Sequence, residues 1–188
     1  MHQHFKLHKP YGYLSQFTNN QNKRKNKKLL GELGVFPENI MSIGRLDETS
    51  EGLLLLTTCG KTSNFINSSK IEKDYLVQVD GLITDKAKQE LEAGVTINVN
   101  GEPYKTKPCV VTLKINPELY PIPKRQVRDK RHGPTSWIGI TLTEGKFRQI
   151  RKMTAKVGFP TLRLVRIRIG NEHLDLEPGS YKEIHIQN

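Results

Sequence analysis

Cysteine is nearly missing from this chain. Cys59 and Cys109 are the two among 188 residues; with no C-x-x-C spacing and no metal-binding companions, they exclude a disulfide framework and are expected as reduced, unligated thiols. No apolar run approaches the roughly 18 residues that span a bilayer. Met1-His2-Gln3-His4 does not open an apolar signal segment either, so a cytoplasmic protein with no membrane partner is expected. Phosphate-loop, dinucleotide and zinc-ligand patterns are absent, as are internal repeats. Acidic residues are in deficit, 19 against 30 Lys and Arg, and the formal net charge of +11 favours a polyanionic partner, nucleic acid first. The length suffices for one substantial core, or for one domain of two lobes.

What is present centres on Gly44-Arg45-Leu46-Asp47-Glu48-Thr49-Ser50-Glu51-Gly52, which runs into Leu53-Leu54-Leu55-Leu56. Four leucines bounded by Gly52 and by Thr57-Thr58-Cys59-Gly60 fit a fully buried strand, although periodicity alone does not exclude a short helical piece. The polar residues before the block put Arg45 and Asp47 on a loop at the mouth of a rigid element, where functional side chains are commonly held. For an arbitrary Arg-x-Asp the usual reading is that Asp47 merely caps a turn and Arg45 pairs with it, and the rest of the chain decides between the two.

Along the chain, residues 4–8 alternate as a strand that ends at Lys9-Pro10-Tyr11-Gly12, with Lys9 pointing off the strand end. Residues 19–28 carry no apolar side chain and are expected to form a solvated basic loop. Short helices are expected at 29–35 and 61–69. Between 72 and 80 a strand places Tyr75, Val77 and Val79 on one face. Thr84 caps a helix over Ala87 and Leu91 that Gly94 ends. Val95, Ile97 and Val99 then alternate up to an Asn100-Gly101 turn, and the sheet resumes at 108–115. Residues 116–134, rich in Pro and charge, form a long surface connection. A strand at 136–142 leads to a helix at 147–157. On a helical wheel Phe147, Ile150, Thr154 and Val157 face inward. Arg148, Lys152 and Lys156 form an outward basic stripe, either phosphate-tracking or simply solvated. Arg151 borders the buried stripe and needs an anionic partner there. Residues 161–170 alternate apolar with basic, a strand expected to expose Arg163, Arg166 and Arg168. A last strand lies near 181–186.

Four segments occur in one order: Lys9-Pro10; Gly44-Arg45-Leu46-Asp47 with Ser50-Glu51-Gly52 and the leucine block; Lys73-Asp74-Tyr75-Leu76-Val77; and Glu144-Gly145-Lys146-Phe147-Arg148-Gln149-Ile150-Arg151-Lys152-Met153. Together they resemble the RsuA/RluB/RluE/RluF family of ribosomal RNA pseudouridine synthases over nearly the whole chain. Lys9-Pro10-Tyr11 with Gln16-Phe17-Thr18, Pro134-Thr135-Ser136-Trp137 and the segment from Val157 to Leu164 are most similar to the RluE subgroup, which acts on 23S rRNA.

The resemblance implies an α+β fold, a mixed and mainly antiparallel sheet flanked by helices, with two lobes of about 1–60 and 61–188 around a cleft. It implies that Asp47 is the catalytic aspartate, Arg45 its loop neighbour, Tyr75 the aromatic group against the base, and Arg151 the ion-pair partner of Asp47. Leu164 would line the uracil pocket, and Lys9, Lys73, Arg148, Lys152, Lys156 and Arg163 would contact substrate. The activity implied is conversion of a 23S rRNA uridine to pseudouridine without cofactor, by a monomer acting on free rRNA or an early assembly particle. A synthase acting on 16S rRNA and a non-catalytic rRNA-binding or assembly protein are the alternatives. Many family members carry an N-terminal S4-type RNA-binding domain, for which there is no room before Phe5; RNA positioning is therefore expected from the basic surface of the catalytic domain.

Overall fold

A computed structural model describes residues 2–18, 26–68 and 71–186. In it the leucine block is a strand, β3 (Glu51–Thr57), buried along its whole length. Alternation explains how four leucines in a row are accommodated, because successive side chains leave opposite faces of a strand. Leu53 and Leu55 pack with Ile43, Ile66, Leu76 and Val165 on one side; Leu54 and Leu56 pack with Phe5, Leu7 and Leu30 on the other. Each such leucine contributes about 2 kcal/mol through burial, which makes β3 the stiff element from which the preceding loop is hung.

Around β3 the sheet grows outward. Strand β1 (His4–Lys9) pairs antiparallel with it, and β2 (Met41–Ile43) covers the far end of its other edge. Helix α1 (Gly60–Ser68) follows, then β4 (Lys73–Asp80), α2 (Asp85–Glu92), the hairpin β5 (Thr96–Val99) and β6 (Glu102–Lys105), and β7 (Val110–Leu113). After the long connection come β8 (Thr135–Leu142), α3 (Gln149–Lys156), β9 (Thr161–Ile169), β10 (Glu172–His173) and β11 (Tyr181–Ile184). The nine-stranded sheet runs β11-β1-β3-β9-β4-β8-β7, with β2 on β3 and β10 on β9. All its pairings are antiparallel except β3 with β9, which is parallel. The fold is α+β, as expected.

A division of the chain at residue 60 does not describe this sheet. Strand β11 returns to pair with β1, and β9 joins β3 to β4, so late segments complete the part that early segments begin. Three further expectations are corrected. Residues 30–33 form a 3-10 turn rather than an α-helix. Helix α3 begins at Gln149 because Arg148 adopts a left-handed conformation, φ 53°; Phe147 therefore lies outside the helix and is 63% exposed instead of facing the core. Arg163 and Arg166 on β9 are buried rather than exposed, and Arg168 is held by Asp74 and Glu72. Residues 19–25 of the expected basic loop lie outside the described residues.

Candidate active site

A cleft of about 200 Å³ opens where the Gly44–Asp47 loop faces the turn before α3; Lys73, Tyr75, Leu164 and Arg166 from β4 and β9 line it as well. Tyr75 and Leu164 belong to the large apolar cluster that also holds Leu46, Ile138, Ile150 and Met153. The cleft is thus one edge of a packed core, and its apolar wall is rigid.

The loop bearing Asp47 is pinned at several points. Leu46 is buried in that core. The hydroxyl of Ser15 bridges the Leu46 backbone, donating to its carbonyl at 2.8 Å and accepting from its N–H at 2.9 Å. Gly12 N–H donates to the Glu48 carbonyl, and Ser50 N–H to that of Asp47. Lys27 closes on the Glu48 carboxylate at 2.6 Å. Ser15, Gly12 and Lys27 were not singled out in the sequence, since nothing local marks a serine 31 residues away as the clamp of another loop.

Asp47 is partly exposed, with two guanidinium groups against it. Arg148 Nη1 lies 3.2 Å and Arg151 Nε 3.7 Å from Asp47 Oδ2. Arg151 also donates to the Thr49 carbonyl at 3.0 Å and to Ser50 Oγ at 3.1 Å. Arg151 thus reaches Asp47 as expected, while Arg148 turns to it instead of joining an outward stripe with Lys152 and Lys156. The left-handed Arg148 backbone, one residue ahead of the helix, is the physical reason. Burial, then the neighbouring Arg148 charge, pulls Arg151 below the usual arginine value, and the Asp47 carboxylate opposes both. Lys156 is exposed, whereas Lys152 donates to the Asn98 carbonyl and sits over the Phe147 ring.

Two residues expected to meet substrate are withdrawn from it. Lys9 is completely buried, its ammonium donating to the carbonyls of Pro10 and Tyr13 at 2.9 and 2.7 Å. Desolvation lowers its pKa to about 8, although Glu51, Glu48 and Asp47 pull the other way. Arg163 is 3% exposed and its donors are taken: two meet the Glu51 carboxylate, at 2.8 and 2.9 Å, and a third meets the Pro123 carbonyl. The long connection covers this face of β9, and Arg125 adds a contact to Glu51 at 3.4 Å. Glu51 therefore anchors the junction of β3 and β9 directly behind the Asp47 loop. Arg45 is exposed on the cleft rim. Glu144, which also lines the cleft, accepts from Tyr104 Oη, Lys107 N and Gln149 Nε2.

Among the described residues no group of three or more His, Cys, Asp or Glu side chains is gathered as a metal site requires, and no helix is long and apolar enough to cross a membrane. What the cleft does hold is one carboxylate between two arginines, a tyrosine ring and apolar walls.

A profile of the RNA pseudouridylate synthase family matches residues 3–156. The ribosomal large subunit pseudouridine synthase E of Vibrio vulnificus (strain CMCP6) is 40% identical over 183 residues, which cover 96% of this chain and 74% of that protein. The protein of the same name from Xanthomonas axonopodis pv. citri (strain 306) is 41% identical over 172 residues, 90% of this chain and 86% of its own. A crystal structure of a pseudouridylate synthase superposes with a TM-score of 0.77 at 26% identity, covering 98% of this chain and 71% of that one. A profile match over most of the chain, relatives sharing two residues in five, and a fold shared almost end to end agree: the chain belongs to the RNA pseudouridylate synthase family.

Proposed function

We propose that this protein converts a uridine of 23S rRNA to pseudouridine, acting as a monomer on free rRNA or an early assembly particle, with Asp47 as the catalytic carboxylate. The observation that carries the reading is the Asp47 carboxylate, flanked by Arg148 and Arg151 at 3.2 and 3.7 Å, in a cleft lined by Tyr75 and Leu164. The choice of large-subunit RNA rests on relatives named for that subunit and on the net charge of +11.

The reaction breaks the bond between uracil N1 and ribose C1′, turns the base and rejoins it through C5. Positive charge develops on the sugar as the bond breaks, and an ionised carboxylate stabilises it, attacks C1′ or removes a C2′ proton. Arg148 and Arg151 flank Asp47 in the cleft and would hold its carboxylate in place against the reacting sugar. Tyr75 offers its ring to the base and its hydroxyl to the late loss of the C5 proton. The uridine must leave its stack to enter, at a cost of a few kcal/mol that phosphate contacts offset; exposed Lys156 and, on the cleft rim, Arg45 are the side chains offered for such contacts.

Base-resolution pseudouridine mapping, after incubation of the protein with protein-free rRNA in EDTA buffer, tests the reading. One modified uridine in 23S rRNA is expected, and none in 16S rRNA or tRNA. Asp47→Asn should lower that activity by on the order of 10³-fold while RNA affinity stays within a factor of three. Modification confined to 16S rRNA would reassign the substrate. Binding with no modification of any RNA would return the protein to a non-catalytic role.

A further inference from the structure

Three arginines lie close together on β9, and two of them are fully engaged. Arg163 meets the buried Glu51 carboxylate, and Arg168 meets Asp74 and Glu72. Arg166 has no carboxylate among the described residues. It is 3% exposed, its Nε donates to the Leu53 carbonyl at 2.8 Å, and its Nη2 is buried without an acceptor. A buried guanidinium nitrogen without an acceptor lowers folding stability, and among the described residues only the Leu53 carbonyl bond partly offsets it.

Its position indicates what offsets it. Arg166 lines the same cleft as Asp47 and stands directly across from Tyr75 in the β4–β9 register. Lys73, two residues before Tyr75, lines the cleft as well. Burial first, and then the charge of Arg166, pull the Lys73 pKa down, so two desolvated cations share the floor beside the tyrosine ring. Asp47, with its own pair of arginines, lines the same cleft from the Gly44–Asp47 loop.

We infer that Arg166, with Lys73 beside it, is the electrophilic group of the reaction, receiving the uracil ring as its electron pair arrives; this rests on the isomerase reading above. When the C1′–N1 bond breaks, its electron pair stays with the base and spreads from N1 onto the carbonyl oxygens O2 and O4. The sugar carries the complementary positive charge that Asp47 takes up. Arg166 donates N–H to a carbonyl oxygen of the resulting uracil anion and remains protonated throughout. After rotation, C5 attacks C1′, the C5 proton is lost, and N1 regains a proton, so atoms and charge balance without a co-reactant. A donor fixed in a dry cleft acts most strongly on charge that develops only in the transition state.

The test compares single-turnover rates at saturating RNA for the parent, Arg166→Gln and Arg166→Lys, on the target RNA carrying either uridine or 5-fluorouridine. The fluorine withdraws electrons, so the departing ring needs less help. Loss of the N-linked nucleoside after nuclease digestion measures cleavage for both. Arg166→Gln should lose about 100-fold on uridine, keep its RNA affinity within threefold, and lose at least several-fold less on 5-fluorouridine. Arg166→Lys should be intermediate on both; should the Gln variant fail to fold, the Lys variant carries the same comparison. Equal losses on the two substrates would overturn the inference in favour of a packing role. Weakened binding with a salt slope reduced by about one unit would overturn it in favour of a phosphate contact. If the parent itself leaves the RNA unmodified, the isomerase reading fails, and this inference with it.

Discussion

Arg148 and Arg151 both point at one carboxylate, yet they hold it in different ways. Arg148 is half exposed, and among the described residues its side chain bonds to Asp47 alone, so Arg148→Ala should cost under about 1 kcal/mol of stability while slowing catalysis. Arg151 is mostly buried and also fastens the Thr49 carbonyl and Ser50 hydroxyl. Arg151→Ala should therefore cost about 2–4 kcal/mol as well as activity. Urea unfolding beside single-turnover rates separates them, and equal stability losses would contradict the geometry. Lys9 sets a different kind of test. Its folded-state pKa of about 8 lies below the ordinary value of 10.5, so between those two values the unfolded chain holds a proton that the folded one lacks. Lys9 thus contributes stability that rises with pH across that window and is missing below it. Lys9→Met should remove the rise, as read from urea midpoints at intervals from pH 7 to 10.5. A slope identical to that of the parent would mean Lys9 is not desolvated.

Among the elements, the close crossing of β3 and β9 is the most demanding. Gly52 has φ +104°, and a Cβ there would stand 2.7 Å from Arg166 N and closer still to the Arg166 carbonyl oxygen. Backbone on both counts leaves no flexible neighbour to yield. Gly52→Ala should cost about 3 kcal/mol or more and displace Asp47 from the cleft, visible as a lowered urea midpoint with loss of activity in the remaining folded protein. The β3 strand was legible in its leucines, and the β4 strand in the spacing of Tyr75, Val77 and Val79, because side-chain alternation is a local property. Arg163 misled because alternation on β9 says which side a residue faces, not what covers that side. The cover comes from Pro123 and Arg125 of the long connection, which carries no periodic signal. Phe147 misled because one left-handed residue, Arg148, moved the helix start.

For the whole molecule, the motif order made the family and the cleft legible, since Asp47, Tyr75, Leu164 and Arg151 meet around one place. What stayed hidden were the long-range supports: the Ser15 clamp, the Lys27–Glu48 pair and the Glu51 anchor, each joining segments that give no local sign of meeting. The parallel pairing of β3 with β9 draws these facts into a matter of timing. Leu53 and Arg166 are bonded across 113 positions of sequence, and β1 gains its outer partner only from β11. Such distant pairings close late and slowly, because loop entropy must be met before the contacts reward it. During synthesis β3 therefore emerges with one edge and one side of the cleft incomplete, and waits for β9. The cleft beside Asp47 comes into being at the end of folding, so a partly made chain, however basic, does not yet have it.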